Sequence, residues 1–146
     1  MDESERKRIV EACRDLVIEL THLGDHGEHE KAIALWTEDG TWIRGGKPFT
    51  GRAELLASFS RGSGTNFIRH LVTATRVLVQ DADNATGVSY YMAISHDPKT
   101  ETPEFPLPLS PMSMGEWHDR YVRTADGWRF AHREVRRLFQ RQGGGH

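Results

Sequence analysis

The 146-residue sequence contains one cysteine, Cys13, so no internal disulfide bond can form. A chain without disulfides suits a reducing compartment, and we expect a cytoplasmic protein. The apolar runs are too short to cross a bilayer. The first ten residues, MDESERKRIV, are charged where a signal peptide is apolar. We therefore predict that the protein has no membrane partner.

An excess of charge of one sign is also missing. The sequence has 19 Lys and Arg against 21 Asp and Glu, with a net charge of −2 and a pI near 6.4. Such a balance gives no electrostatic footprint for nucleic acid, so we predict no nucleic-acid partner. No glycine-rich phosphate loop and no flavin or nicotinamide fingerprint is present, so no cofactor is expected.

The length indicates one domain over residues 1–146, with flexible ends at about 1–4 and 141–146. Its first half has the apolar periodicity of helices, predicted at about 3–23, 28–37 and 52–60, with a short strand at 41–44. The second half predicts long strands over 67–80 and 85–96. Helices followed by a sheet indicate an α+β fold with the helices packed on one face.

Residues 113–140 predict a long hairpin, because an Asp126-Gly127 turn separates two runs rich in aromatic and β-branched residues. Together with the two preceding strands it makes a four-stranded antiparallel meander. Strand alternation puts Trp117, Asp119 and Tyr121 on one face of the first hairpin strand. On the second strand, alternation groups Phe130 with His132 and puts Arg133 on the opposite face.

Five of the six prolines lie in residues 97–114, which predicts a loop because proline cannot donate to a strand ladder. This loop is unusually apolar, with Phe105, Leu107 and Leu109 followed by Met112 and Met114. A loop of this length in a compact domain is typical of a lid or a binding segment. We expect it to cover the mouth of a pocket.

Three histidines, His22, His26 and His29, have spacings that would place them on one helix face. Gly24 and Gly27 interrupt that helix, so we interpret the group as a surface cluster and predict no metal site.

Several motifs, in this order, resemble the SnoaL-like branch of the nuclear transport factor 2-like superfamily. They are Asp25, LWTEDGTW (35–42), FTGRAEL (49–55), Arg69-His70 and GEWHDRYVRTADGWRFAHR (115–133). The branch includes scytalone dehydratase, ketosteroid isomerase, polyketide cyclases and small subunits of ring-hydroxylating dioxygenases. The resemblance implies a cone-shaped α+β barrel, with three N-terminal helices packed on a strongly curved, mainly antiparallel sheet (the cystatin-like fold). It also implies an apolar pocket and a homodimer or larger homo-oligomer.

By this resemblance Asp25 and His70 form a catalytic dyad inside the pocket. A carboxylate that accepts from one imidazole nitrogen fixes the tautomer and leaves the other nitrogen to move a proton. Residue spacing alone also allows Asp25 to cap the second helix, since Asp25 and Glu28 fit a capping box. His70 could likewise be a structural histidine at a strand end.

A second polar group would act on the substrate oxygen. Scytalone dehydratase uses a second histidine from its sheet, which His96 or His118 could supply, His96 fitting better. Relatives carry a tyrosine near Leu20 and Gly24, and some an asparagine at Ala74. A tyrosine elsewhere would have to replace that donor, with Tyr90 the prime candidate beside Tyr91 and Tyr121. The pocket wall would bind a small hydrophobic molecule through Trp42, Phe67, Val72, Met92, Trp117, Tyr121, Trp128 and Phe130.

The sequence is compatible with two functions. The first is a cofactor-independent lyase, dehydratase-like, or an isomerase, acting on a small aromatic or alicyclic substrate. The second is a non-catalytic ligand-binding or assembly subunit resembling a dioxygenase small subunit. Contact between Asp25 and His70 would favour the first, because an assembly subunit has no need of it.

Overall fold

The computed structural model describes residues 1–59, 66–97, 102–109 and 112–141. Its first element is helix α1 (Glu3–Asp25). Asp2 caps its N-terminus, because the Asp2 carboxylate accepts a 2.7 Å hydrogen bond from the Glu5 amide. The helix therefore begins within the segment that was expected to be flexible. The predicted apolar stripe is confirmed, and its buried residues are Ile9, Cys13, Leu16, Val17, Leu20 and Leu23. The glycine tail, 142–146, lies outside the described residues.

The second helix is shorter than predicted. Helix α2 (His29–Ile33) ends early, and the chain enters strand β1 (Trp36–Arg44), which includes the predicted strand 41–44. The prediction of helix through Thr37 was therefore wrong. Trp36 is fully buried, as expected, but it pairs with Phe130 in a strand. Strand β2 (Lys47–Thr50) and helix α3 (Arg52–Phe59) follow.

Four long strands make the predicted meander: β3 (Phe67–Val79), β4 (Asn84–His96), β5 (Met112–Thr124) and β6 (Gly127–Gln140). Gly127, the first residue of β6 after the turn, has φ +107°, a conformation that suits glycine. The six strands run in the order β2-β1-β6-β5-β4-β3, with β2 and β3 at the edges. Only β1 and β6, among the described strand pairs, are parallel, so the mainly antiparallel α+β fold is confirmed.

The sheet has an inner face, against α1, and an outer face. On β4 the inner residues are mostly small and all are buried: Ala85, Gly87, Ser89, Tyr91, Ala93 and Ser95. The bulkier alternate residues, Val88, Tyr90, Met92 and Ile94, point to the outer face. The described part of the apolar loop, 102–109, puts Phe105 against Phe67 with their ring centroids 5.4 Å apart. Residues 98–101 and 110–111 of the predicted loop lie outside the described residues.

Strand β5 begins at Met112, inside the segment predicted as loop. Met112 pairs with Ile94 and Met114 with Met92, so both methionines belong to the sheet.

None of the helices in the described part of the chain has the length and apolar composition of a membrane span.

Candidate functional site

The Asp25 carboxylate and the His70 imidazole are in direct contact. His70 Nδ1 lies 2.6 Å from Asp25 Oδ1, and the His70 backbone amide donates a 2.8 Å hydrogen bond to Asp25 Oδ2. Both carboxylate oxygens are therefore occupied by one residue, 45 positions along the chain. The Asp25 side chain is 6% exposed and that of His70 24%, so the pair is sheltered while the imidazole stays accessible. The predicted contact is confirmed; its catalytic role remains a prediction.

Helix α1 supplies Asp25 as its last residue, and the edge strand β3 supplies His70. Arg69 joins the two elements, because its guanidinium donates to the Asp25 carbonyl at 3.3 Å and to the Ile68 carbonyl at 2.7 Å. The N-cap position of α2 is Glu28. The alternative in which Asp25 caps the second helix is thus wrong: its carboxylate faces β3.

The imidazole of His70 lies against two aromatic rings of the inner face. The Trp117 ring centroid is 5.5 Å from that of His70, and the Tyr91 ring meets His70 edge-on at 6.0 Å. Tyr91 and Trp117 stack on each other at 4.9 Å and 13°. Val72 pairs with Tyr91 on the same face. The predicted wall residues Trp117 and Val72 therefore do lie near the dyad.

Four other predicted site residues lie on the opposite face of the sheet. Because His70 pairs with Ala93, strand alternation turns Tyr90, Met92 and His96 outward. Tyr90 is 48% exposed there. Phe67 precedes His70 by three positions on β3 and faces outward by the same alternation, against Arg69 at 4.4 Å. The structure therefore contradicts the predicted roles of Tyr90 and His96 beside the dyad, and of Phe67 and Met92 in the pocket wall.

The remaining predicted wall residues belong to the core. Trp42 stacks on Trp36 at 5.3 Å, and Tyr121 packs on Phe130 at 5.3 Å. Trp128 lies next to the hairpin turn, where it lines a depression of about 480 Å³ against α1. Its prediction as a wall residue beside the dyad was wrong, since β6 carries it to the far end of the hairpin.

A buried ion pair next to Trp117 was not predicted from the sequence. Arg133 is 1% exposed, and its Nε and Nη2 donate to the Asp119 carboxylate at 2.7 and 2.9 Å. Tyr121 donates to the same carboxylate at 3.1 Å. The Arg133 guanidinium also lies 4.2 Å above the Trp117 ring. This network fixes the indole on which His70 rests.

The outer face carries a depression of about 720 Å³. Its lining includes Leu78, Val88, Tyr90, Glu116, His118 and Glu134. His118 Nε2 lies 2.8 Å from Glu116 Oε1, so a second histidine–carboxylate pair stands on this face. This pair is separated from Asp25 and His70 by the sheet.

The histidines of the N-terminal half do not converge on one point. His22 and His26 stack at 4.1 Å, and His29 instead stacks on Phe59 at 4.6 Å. No group of three or more potential metal ligands occurs among the described residues.

Comparison with known proteins agrees with this fold. A candidate scytalone dehydratase from Novosphingobium aromaticivorans is 20% identical with a TM-score of 0.83, covering 99% of this chain and 93% of that one. The hexachlorocyclohexane dehydrochlorinase LinA-type3 from Novosphingobium barchaimii is 16% identical with a TM-score of 0.80, covering 96% and 93%. An NTF2-like protein with a cystatin-like fold from Novosphingobium aromaticivorans is 24% identical with a TM-score of 0.72, covering 97% and 91%.

Curated proteins include no match to this sequence. The family model described as the SnoaL-like domain matches residues 6–134, which is most of the sequence. The chain therefore belongs to the SnoaL-like domain family.

Proposed function

We propose that this protein is a cofactor-independent lyase, dehydratase-like, that acts on a small aromatic or alicyclic substrate. The observation that carries the proposal is the 2.6 Å contact between Asp25 and His70, with both carboxylate oxygens committed to His70. Two of the similar folds are named for eliminations, a dehydratase and a dehydrochlorinase. Their names add support at the level of reaction class.

The dyad would work through the second imidazole nitrogen. The Asp25 carboxylate accepts from Nδ1–H, which leaves Nε2 of His70 with a lone pair that can take a proton from a substrate carbon. The C–H electron pair becomes the new C=C bond and the neighbouring leaving group departs with its bonding pair. When hydroxide leaves, the His70 imidazolium returns the proton and water is released. An isomerase would use the same dyad and return the proton to another carbon.

The surroundings favour a flat apolar ligand. Trp117 and Tyr91 contact the His70 ring, and aromatic faces bind rings by offset stacking. An assembly subunit would gain nothing from a sheltered carboxylate–histidine pair at this position. We therefore place the ligand-binding or assembly role second.

The test compares two histidines that each contact a carboxylate. His70→Gln and His118→Gln each remove an imidazole that contacts a carboxylate. His70 lies 2.6 Å from Asp25, and His118 lies 2.8 Å from Glu116. We expect His70→Gln to lower kcat by about 10²–10⁴-fold on a panel of cyclic β-hydroxy ketones, and His118→Gln to leave it unchanged.

Equal turnover in the His70→Gln variant would refute the lyase mechanism. If the wild-type protein binds ring ligands but turns over none of the panel, the binding-subunit function replaces it.

A further inference from the structure

We propose that Arg69 positions the Asp25–His70 pair and couples it to the apolar loop. This inference rests on the proposed function, because it says how the geometry of that same site is set. Arg69 precedes His70 on β3, so strand alternation turns it away from the inner face, and the lyase mechanism does not use it.

The end of α1 needs hydrogen-bond donors from outside the helix, because the last carbonyl groups of a helix have no partner within it. The three residues before Asp25 have their carbonyls bound by the backbone amides of residues 26–28, at 2.9–3.2 Å. The next carbonyl, that of Asp25, accepts from Arg69 Nη1 at 3.3 Å. A cation at this position also complements the negative end of the helix dipole.

This contact sets the direction of the Asp25 side chain. Arg69 Nη1 also donates to the Ile68 carbonyl at 2.7 Å, so one guanidinium ties the last residue of α1 to the backbone of β3. Holding the Asp25 carbonyl fixes the planar peptide that follows it and limits rotation of the Asp25 backbone. The carboxylate is thereby directed at the His70 ring, 2.6 Å away, and at the His70 amide, 2.8 Å away.

The neighbouring His26 adds a further acceptor for the same guanidinium. Its Nε2 lies 3.4 Å from Arg69 Nη2, and a guanidinium can only donate, so His26 Nε2 accepts. The proton of the neutral ring is then on Nδ1, which donates to the His22 carbonyl at 2.8 Å. Both contacts agree with one tautomer of His26 and hold Arg69 at the end of α1.

The guanidinium also packs on the ring that contacts the apolar loop. Arg69 Cζ lies 4.4 Å from the Phe67 ring centroid, which is a cation–π distance. Phe105 of the loop meets Phe67 edge-on, with the two centroids 5.4 Å apart. Phe105 remains 62% exposed, so the loop is held here by a limited contact. A ligand that moves the loop would therefore act on Phe67 and, through it, on Arg69 and the Asp25 carbonyl.

The experiment reads the tautomer of neutral His70 in the free protein by long-range ¹H–¹⁵N NMR. Asp25 accepts from Nδ1–H in the wild type, so the Nδ1–H form should dominate. Arg69→Gln should lower the ratio of the Nδ1–H to the Nε2–H form about tenfold, the effect of losing a charged hydrogen-bond donor. Arg69→Lys should restore part of that ratio, because the charge and a donor return. Arg76→Gln, the same change at an exposed position of β3, is the control and should match the wild type.

A double variant tests the coupling to the loop. Phe105→Leu keeps an apolar side chain but removes the ring that contacts Phe67. It should lower the tautomer ratio of His70 less than Arg69→Gln does. In a chain that already carries Arg69→Gln it should add nothing, because two changes on one route are not additive.

The positioning role is overturned if Arg69→Gln keeps the wild-type tautomer ratio, even where it lowers the melting temperature, since that result describes a purely structural residue. The coupling is overturned if Phe105→Leu has no effect, or an equal effect with and without Arg69. If Arg69→Gln does not fold, Arg69→Lys carries the same test with a smaller decrease. Turnover does not enter these measurements, so their failure differs from failure of the lyase proposal.

Discussion

Removing one partner of the buried Asp119–Arg133 pair should cost far more stability than removing an exposed charge. Both side chains are at most 1% exposed, and Asp119 accepts three hydrogen bonds, two from Arg133 and one from Tyr121. Asp119→Asn keeps the shape but leaves the Arg133 guanidinium as an uncompensated buried charge. Breaking a pair of this kind costs about 3–5 kcal/mol.

That loss is large against a typical free energy of unfolding of about 5–15 kcal/mol. At roughly 2–4 °C per kcal/mol for a chain of this size, the melting temperature should fall on the order of 10 °C. Urea unfolding followed by tryptophan fluorescence measures the change directly. The exposed pair of Glu134 and Arg136, 3.0 Å apart, supplies the control, because Glu134→Gln should cost less than about 1 kcal/mol.

A double variant separates charge burial from packing. Arg133→Met with Asp119→Leu removes both charges, and it should be more stable than Asp119→Asn alone because no unpaired charge is left. The reasoning is refuted if Asp119→Asn unfolds within 1 kcal/mol of the wild type, or if the double variant is the least stable.

Three further predictions concern other parts of the molecule. Burial, and then the Asp119 charge, raise the pKa of the Cys13 thiol from 9.0 to about 12, so a thiol reagent should modify Cys13 only after unfolding. The stability that comes from keeping this thiol protonated in the folded state is complete below pH 9 and is lost as the pH rises toward 12. Fast labelling of the native protein would contradict this prediction. We propose that the outer sheet face mediates self-association, so Tyr90→Glu should lower the sedimentation coefficient at micromolar concentration; a monomeric wild type would contradict it. Phe105→Ala and Leu107→Ala should change ligand affinity and turnover but not the melting temperature if the loop gates the pocket; early melting with normal binding would show a packing role.

The order of the helices and the meander could be predicted from the sequence because each element carries a local signal. The end of α2 could not. Ala32, Ile33, Leu35 and Trp36 continue a helical apolar pattern, yet Trp36 is held in β1 by pairing with Phe130, almost a hundred residues later. A pairing so distant in sequence leaves no mark on the local periodicity.

The faces of the strands were harder to assign than the strands themselves. On β4 the bulky residues suggested the inner side, but α1 and the rings of Tyr91 and Trp117 fill that side. Small residues therefore occupy the neighbouring inner positions. On β6 a register shift opposite Arg120 and Tyr121 changes the alternation, so Arg133 shares the inner face with Phe130. A bulge of this kind has no sequence signature, which is why Arg133 was missed.

The dyad was predicted through the motifs of the family, since spacing alone left Asp25 with two possible roles. The motifs placed Asp25 and His70 correctly, whereas no motif distinguished Tyr91 from Tyr90. Adjacent residues on a strand face opposite ways, so an error of one position moves a side chain through the whole sheet.

The position of Asp25 at the last residue of α1 links the Asp25–His70 contact to the local folding of that helix. Helix ends fray readily, and this end is held to β3 by the two bonds from His70 and the one from Arg69. Opening of the last helical turn would therefore separate the carboxylate from the imidazole while the sheet stays intact. If the dyad carries the proposed activity, that activity depends on a local opening equilibrium, and mild denaturant should abolish turnover before it exposes the core tryptophans.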